Sequence, residues 1–140
     1  MFGAMHKLRI FIFLLPLALL ALAQEQSVPK RFAGTWEAKF KDKIICTINL
    51  ELANPVSGSM HACNVNVNED GDLIEAEGSD EKTDPILEPK LHGDTLSYSV
   101  KDEDGGEPLK FELKLTGEGR AELTFLNAPV KMKPIRFEKK

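Results

Sequence analysis

Apolar and polar residues alternate along most of the chain beyond residue 23, and no segment there keeps the three-to-four spacing of a helix. The first alternating run is Phe32-Ala33-Gly34-Thr35-Trp36-Glu37-Ala38-Lys39-Phe40, in which Phe32, Gly34, Trp36, Ala38 and Phe40 share one parity and the charged residues take the other. That pattern predicts a half-buried strand carrying the only Trp. Lys41-Asp42-Lys43 turns it into a second strand, Ile44 to Leu52, with Ile44, Cys46, Ile48, Leu50 and Leu52 inward. A three-residue loop keeps Phe40 and Ile44 in phase and sets Trp36 opposite Ile48.

Ala53-Asn54-Pro55 interrupts the pattern. A third segment follows from Val56 to Val67, with Val56, Gly58 and Met60 on one parity and Cys63, Val65 and Val67 on the other. One β-bulge near His61-Ala62 returns both sets to the inner face. Asn68-Glu69-Asp70-Gly71 is a turn by its chemistry, and a fourth strand, Asp72 to Gly78, then sets Ile74 opposite Val65. After a charged loop, Ser79 to Pro85, the segment Ile86 to Leu91 is expected to point Leu87 and Leu91 inward. Pro89 makes it irregular or places it at an edge.

Gly93-Asp94 is a two-residue hairpin signal that sets Leu91 opposite Leu96. Leu96, Tyr98 and Val100 then face in, and Asp102 to Glu107 forms an acidic loop. Leu109, Phe111, Leu113 and Leu115 alternate with Lys110, Glu112 and Lys114; Gly117-Glu118-Gly119 returns the chain so that Leu113 meets Leu123 and Phe111 meets Phe125. After Asn127-Ala128-Pro129, Ile135 and Phe137 face in, and Arg136 and Glu138 face out. Eight or nine short strands joined by tight turns predict an all-β fold, an antiparallel up-and-down barrel, with a β-sandwich as the alternative.

The first 23 residues change the picture of location. Lys7 and Arg9 precede an apolar run from Ile10 to Leu20, and Ala21-Leu22-Ala23 fits a peptidase site before Gln24, so residues 1–23 read as a secretory signal peptide. The run is short for a membrane span, which needs ~20 residues. Residues 24–140 then form a single exported domain, periplasmic or extracellular. Loss of Lys7 and Arg9 takes the formal charge from −4 to −6, which disfavours nucleic acid as a partner. No second apolar run could span a membrane, and nothing in the pattern fixes an oligomeric state. Cys46 and Cys63 both lie in the exported part, where an oxidising compartment favours one intramolecular disulfide. A register in which residue numbers sum to about 109 sets the two opposite each other, given the bulge.

Phe32-Ala33-Gly34-Thr35-Trp36-Glu37 resembles the F-x-G-x-W opening of the lipocalin and fatty-acid-binding protein superfamily, the calycins. The resemblance implies a small antiparallel barrel holding an apolar ligand, with Trp36 at the closed end and Arg136 of the last strand as the cation beside it. Two departures stand out. Lys41-Asp42-Lys43 leaves room for neither the long first loop of lipocalins nor the two helices of fatty-acid-binding proteins. The Arg-x-Tyr pair that holds a carboxylate in the latter is broken, because Glu138 stands two places after Arg136.

The chemistry is sparse. Among the inward residues, Trp36, Phe40, Met60, Tyr98, Phe111 and Phe125 are the candidate walls of an apolar ligand site. The competing reading is a filled barrel serving as a protein-interaction or structural domain, which the scarcity of small inward residues favours. Residues 66–77 match calcium-loop spacing, with Asn66, Asn68, Asp70, Gly71 and Glu77 in place, but the flanks alternate as strands, so a solvated hairpin tip is the plainer reading. Cys46, His61, Cys63 and His92 are zinc-ligand types without zinc spacing. Nucleophile elbows, zinc-protease motifs, phosphate-cradling loops and cofactor motifs are all absent, so no metal, no cofactor and no enzymatic activity are expected.

Overall fold

The computed structural model describes residues 30–51, 56–61, 64–77, 82–102 and 104–140; the signal-peptide reading of residues 1–23 lies outside them. The strands are β1 (Gly34–Phe40), β2 (Lys43–Glu51), β3 (Ser57–His61), β4 (Val65–Val67), β5 (Leu73–Ala76), β6 (Thr83–Pro85), β7 (Leu87–His92), β8 (Thr95–Val100), β9 (Leu109–Gly117), β10 (Arg120–Phe125) and β11 (Ile135–Lys139). Nine of them make one antiparallel sheet in the order β6-β3-β2-β1-β11-β10-β9-β8-β7, and β4 and β5 make a separate two-stranded sheet. The two edge strands, β6 and β7, are joined through Ile86, whose amide donates to the Gly58 carbonyl at 3.0 Å. The sheet is thereby a nearly closed up-and-down barrel, and closure leaves little free edge.

Inward parity fills the barrel. Trp36, Ala38, Cys46, Ile48, Leu96, Tyr98, Leu113, Ala121, Leu123 and Phe137 are buried, and among the described residues no polar or charged residue is. The pairs Trp36 with Ile48, Leu91 with Leu96, Leu113 with Leu123 and Phe111 with Phe125 sit opposite each other in the register that alternation predicts.

Six expectations are corrected, most of them by a local backbone device. Phe32 belongs to a helical turn over residues 30–32 instead of the first strand, and is fully buried there. The first hairpin turns on two residues, because Lys41 and Asp42 both have positive φ (50° and 64°) and Phe40 pairs with Lys43. That is the backbone of the tight hairpin turns whose twist matches the strands. The register then shifts between Ala38 and Lys39, so Ile45 turns into the core and Ile44 is left exposed.

A second irregularity lies between Leu87 and Lys90, with Glu88 at a φ of 49°, and it puts Ile86 in the core and Leu87 outside. Pro89 sits in this break, where a missing donor costs no ladder bond. The third predicted segment is two strands in different sheets, β3 and β4, and the bulge proposed at His61-Ala62 lies partly outside the described residues. Finally, Val65 pairs with Ala76, not Ile74, which is exposed. Half of this slip comes from the turn, which pairs Val67 with Leu73 and not Asp72, and half from a one-residue register shift between Asn66 and Val67.

Candidate functional site

The two ends of the barrel differ. At the end where β1 begins and β11 finishes, Trp36 and Phe32 are fully buried, and the indole Nε1 donates to the Phe32 carbonyl at 2.8 Å. Lys139 Nζ lies 5.5 Å from the centre of the Trp36 ring and donates to the Arg31 carbonyl at 3.0 Å. Arg31 in turn reaches Asp94 in the β7–β8 turn at 3.2 Å. The helical turn is thus fastened across this end as a cap. The cation beside Trp36 is Lys139, whereas Arg136 is exposed, paired across β10 with Glu122.

At the opposite end the barrel holds a cavity of about 370 Å³. Its apolar wall comes from the last inward residues of β8 and β10, the first of β9 and β11, and from β3: Val100, Phe125, Leu109, Ile135 and Met60, with Phe111 and Leu123 deeper. Alternation dictates this, since each strand leaves its final inward side chain at the open end. Tyr98, Phe111 and Phe125 form a ladder across β8, β9 and β10, with ring centres 5.5 Å and 4.9 Å apart and interplanar angles of 26° and 18°. The Tyr98 hydroxyl donates to Met60 Sδ at 3.3 Å, and burial pushes its pKa well above the ordinary value.

Of the six residues singled out as candidate walls, the cavity brings together Met60, Phe111 and Phe125. Tyr98 stands behind Phe111 and Met60. Trp36 belongs to the capped end, and Phe40 is half-buried beside Lys41, whose Nζ lies 5.3 Å from its ring centre. Parity places all six inward but carries no information on depth. The last-inward-residue rule singles out Val100, Leu109 and Ile135 once the strand ends are fixed, and those depend on turns.

Two flaps flank the mouth. The β4–β5 hairpin contributes Asn64 and Val65, and the loop between β10 and β11 contributes Pro129, Val130, Met132 and Lys133. They are latched to each other: the Lys133 amide donates to the Gly71 carbonyl at 3.0 Å, and Lys133 Nζ donates to Asp72 Oδ1 at 2.6 Å. Gly71 has a φ of 87°, and a Cβ there would press on the backbone of Lys131 and Lys133. The hydrogen bond and charge of Lys133 hold the Asp72 carboxyl below its ordinary range.

A depressed folded-state pKa means that the latch contributes stability above the unfolded-state value, near 3.9 for Asp, and loses it as pH falls through the lower folded value. Lys133→Ala should move the Asp72 titration measured by NMR back up toward that ordinary value. An unchanged Asp72 titration would show that the latch does not form in solution.

The calcium-like spacing at 66–77 is used otherwise. Asn68 Oδ1 accepts from the amides of Asp70 and Asp72 at 3.0 and 2.9 Å, Asn66 donates to Glu75, and Asp72 is held by Lys133. These are the bonds of a side-chain-braced hairpin turn. Among the described residues no group of three or more His, Cys, Asp or Glu converges as a metal site. Cys46 is buried in β2 with Sγ 3.6 Å from the His61 carbonyl oxygen; Cys63 lies outside the described residues. No helix among the described residues is long and apolar enough to cross a membrane.

Comparison with protein-family models, curated proteins and solved structures finds no match. Fold and site therefore define the class, an antiparallel β-barrel capped at one end and hollow at the other.

Proposed function

We propose that this chain is an exported, lipocalin-like barrel that binds a small apolar molecule in the cavity at its open end. The observation that carries the reading is the cavity itself: about 370 Å³, walled by Met60, Val100, Leu109, Phe111, Leu123, Phe125 and Ile135. Ligand sites are concave and mostly apolar, with volumes of roughly 300–1,000 Å³. At a liquid-like ~30 Å³ for each non-hydrogen atom, this one suits a guest of about a dozen such atoms. The resemblance of Phe32 to Glu37 to the calycin opening supports the same use of the barrel.

Native mass spectrometry with n-decanol as probe tests it. One equivalent should bind, and Leu109→Trp, which puts an indole into the cavity, should abolish binding while the thermal transition persists. Failure of the wild-type protein to retain any decanol would overturn the reading.

A Cys46–Cys63 disulfide completes the proposal. In the β2–β3 ladder Ile48 faces Met60 and Leu50 faces Gly58. One extra residue beyond Met60 would bring Cys63 opposite Cys46, beside β3, from which Met60 lines the cavity. Thiol titration of the unfolded, unreduced protein should find no free thiol; two free thiols would refute the pairing.

A further inference from the structure

We infer that the guest is an amphiphile with a cationic head, its chain in the cavity and its charge at the mouth; the inference rests on the cavity being a ligand site. Among the described residues the deep walls are aliphatic, aromatic or thioether, and the Tyr98 hydroxyl behind them is already engaged with Met60 Sδ. Any polar group of a guest must therefore lie at the rim, where burial without a partner would otherwise be costly.

The rim is biased in charge. The charged residues lining the cavity are Asp84, Asp102, Asp104, Lys101 and Lys133. Lys133 is taken up by Asp72 at 2.6 Å, outside the cavity lining. Among the described residues, three carboxylates then stand against one remaining ammonium, that of Lys101. Asp84 is the best placed: it is half-buried in β6, and its Cα partner is Met60 of the cavity wall. Asp102 Oδ1 accepts the Asp104 amide at 3.2 Å, which fixes the loop that carries both side chains.

Aspartates on a surface are by themselves only a solvated acidic patch. Here they border an apolar pocket whose chain-length volume brings one end of a guest to them, and a partly desolvated carboxylate makes charge-assisted hydrogen bonds to an ammonium. The chain's net negative charge, −4 over the full sequence, adds long-range attraction for cations and repels fatty anions.

Binding of n-decylamine, n-decanol and n-decanoate, measured at pH 7 by calorimetry on the full exported chain, tests this. The three share a chain and differ in head charge. Decylammonium should bind about tenfold tighter than decanol, and decanoate weaker than either. In Asp84→Asn with Asp102→Asn, decylammonium should bind no tighter than decanol does to the same protein, and high salt should shrink the preference in the wild type.

Equal binding of the three, or tighter binding of decanoate, overturns the inference while leaving the apolar site intact. Binding of none of them overturns the site and the inference together.

Discussion

Replacing Trp36 with Ala should lower stability by about 3–5 kcal/mol, the range for emptying a fully buried aromatic site. For a domain of this size that is a fall in melting temperature on the order of 15 °C. The loss is large because Trp36 is more than filler. Its ring is fully buried, its Nε1 satisfies the Phe32 carbonyl at 2.8 Å, and Lys139 sits 5.5 Å from its centre. The helical turn over residues 30–32 loses its seat along with the indole.

Trp36→Phe separates the contributions. It keeps most of the apolar volume and removes the N–H, so it should cost roughly 1–3 kcal/mol, the penalty of leaving a buried acceptor unsatisfied. Thermal and denaturant unfolding of the two variants checks both values. A shift below 5 °C for Trp36→Ala would mean that the cap does not hold that end of the barrel.

Gly58→Ala should be the most damaging single-methyl addition. A Cβ at this position would overlap the carbonyl oxygen of Asn49 and come within 3.1–3.2 Å of the Asn49 carbonyl carbon and Leu50 Cα. All of these are backbone atoms of β2, so no side chain can yield and β3 itself must move. Overpacking typically costs 1–3 kcal/mol and occasionally more; with only backbone to yield, about 3 kcal/mol is expected.

The consequence travels to the seam. Gly58 accepts the Ile86 amide at 3.0 Å, and Ile86 joins β6 to β7. Displacement of β3 should therefore speed hydrogen exchange at Ile86 and weaken decanol binding, since Met60 shares the strand. Unchanged exchange at Ile86 in a stable Gly58→Ala protein would show that the seam is held elsewhere.

What could be read from the chain beforehand was parity. Leu96, Tyr98 and Val100, or Phe111, Leu113 and Leu115, alternate without interruption, so their burial and the opposition of Leu113 to Leu123 followed directly from the period of two. The readings that failed at Ile44, Leu87 and Ile74 sit beside a residue with positive φ or a register shift. Lys41, Asp42 and Glu88 carry side chains that give no hint of left-handed backbone, and each change of count exchanges neighbours, Ile45 for Ile44 and Ile86 for Leu87. The cap cation was missed for another reason. Lys139 reaches Trp36 because the last strand pairs Lys139 with Trp36, a contact between distant segments that no local pattern encodes.

The fastening of the first strand to the last also sets the order in which the molecule can be completed. Lys139 and Arg31 are 108 positions apart, so the chain must gather nearly all its hairpins before the cap can be drawn over Trp36. Barrels dominated by such distant contacts fold in milliseconds to seconds, orders of magnitude slower than helical domains. Until β11 arrives, β1 presents one unpaired edge, and the indole has only part of its enclosure. That interval is the period of greatest exposure to aggregation, and it ends only when β11 closes the ring.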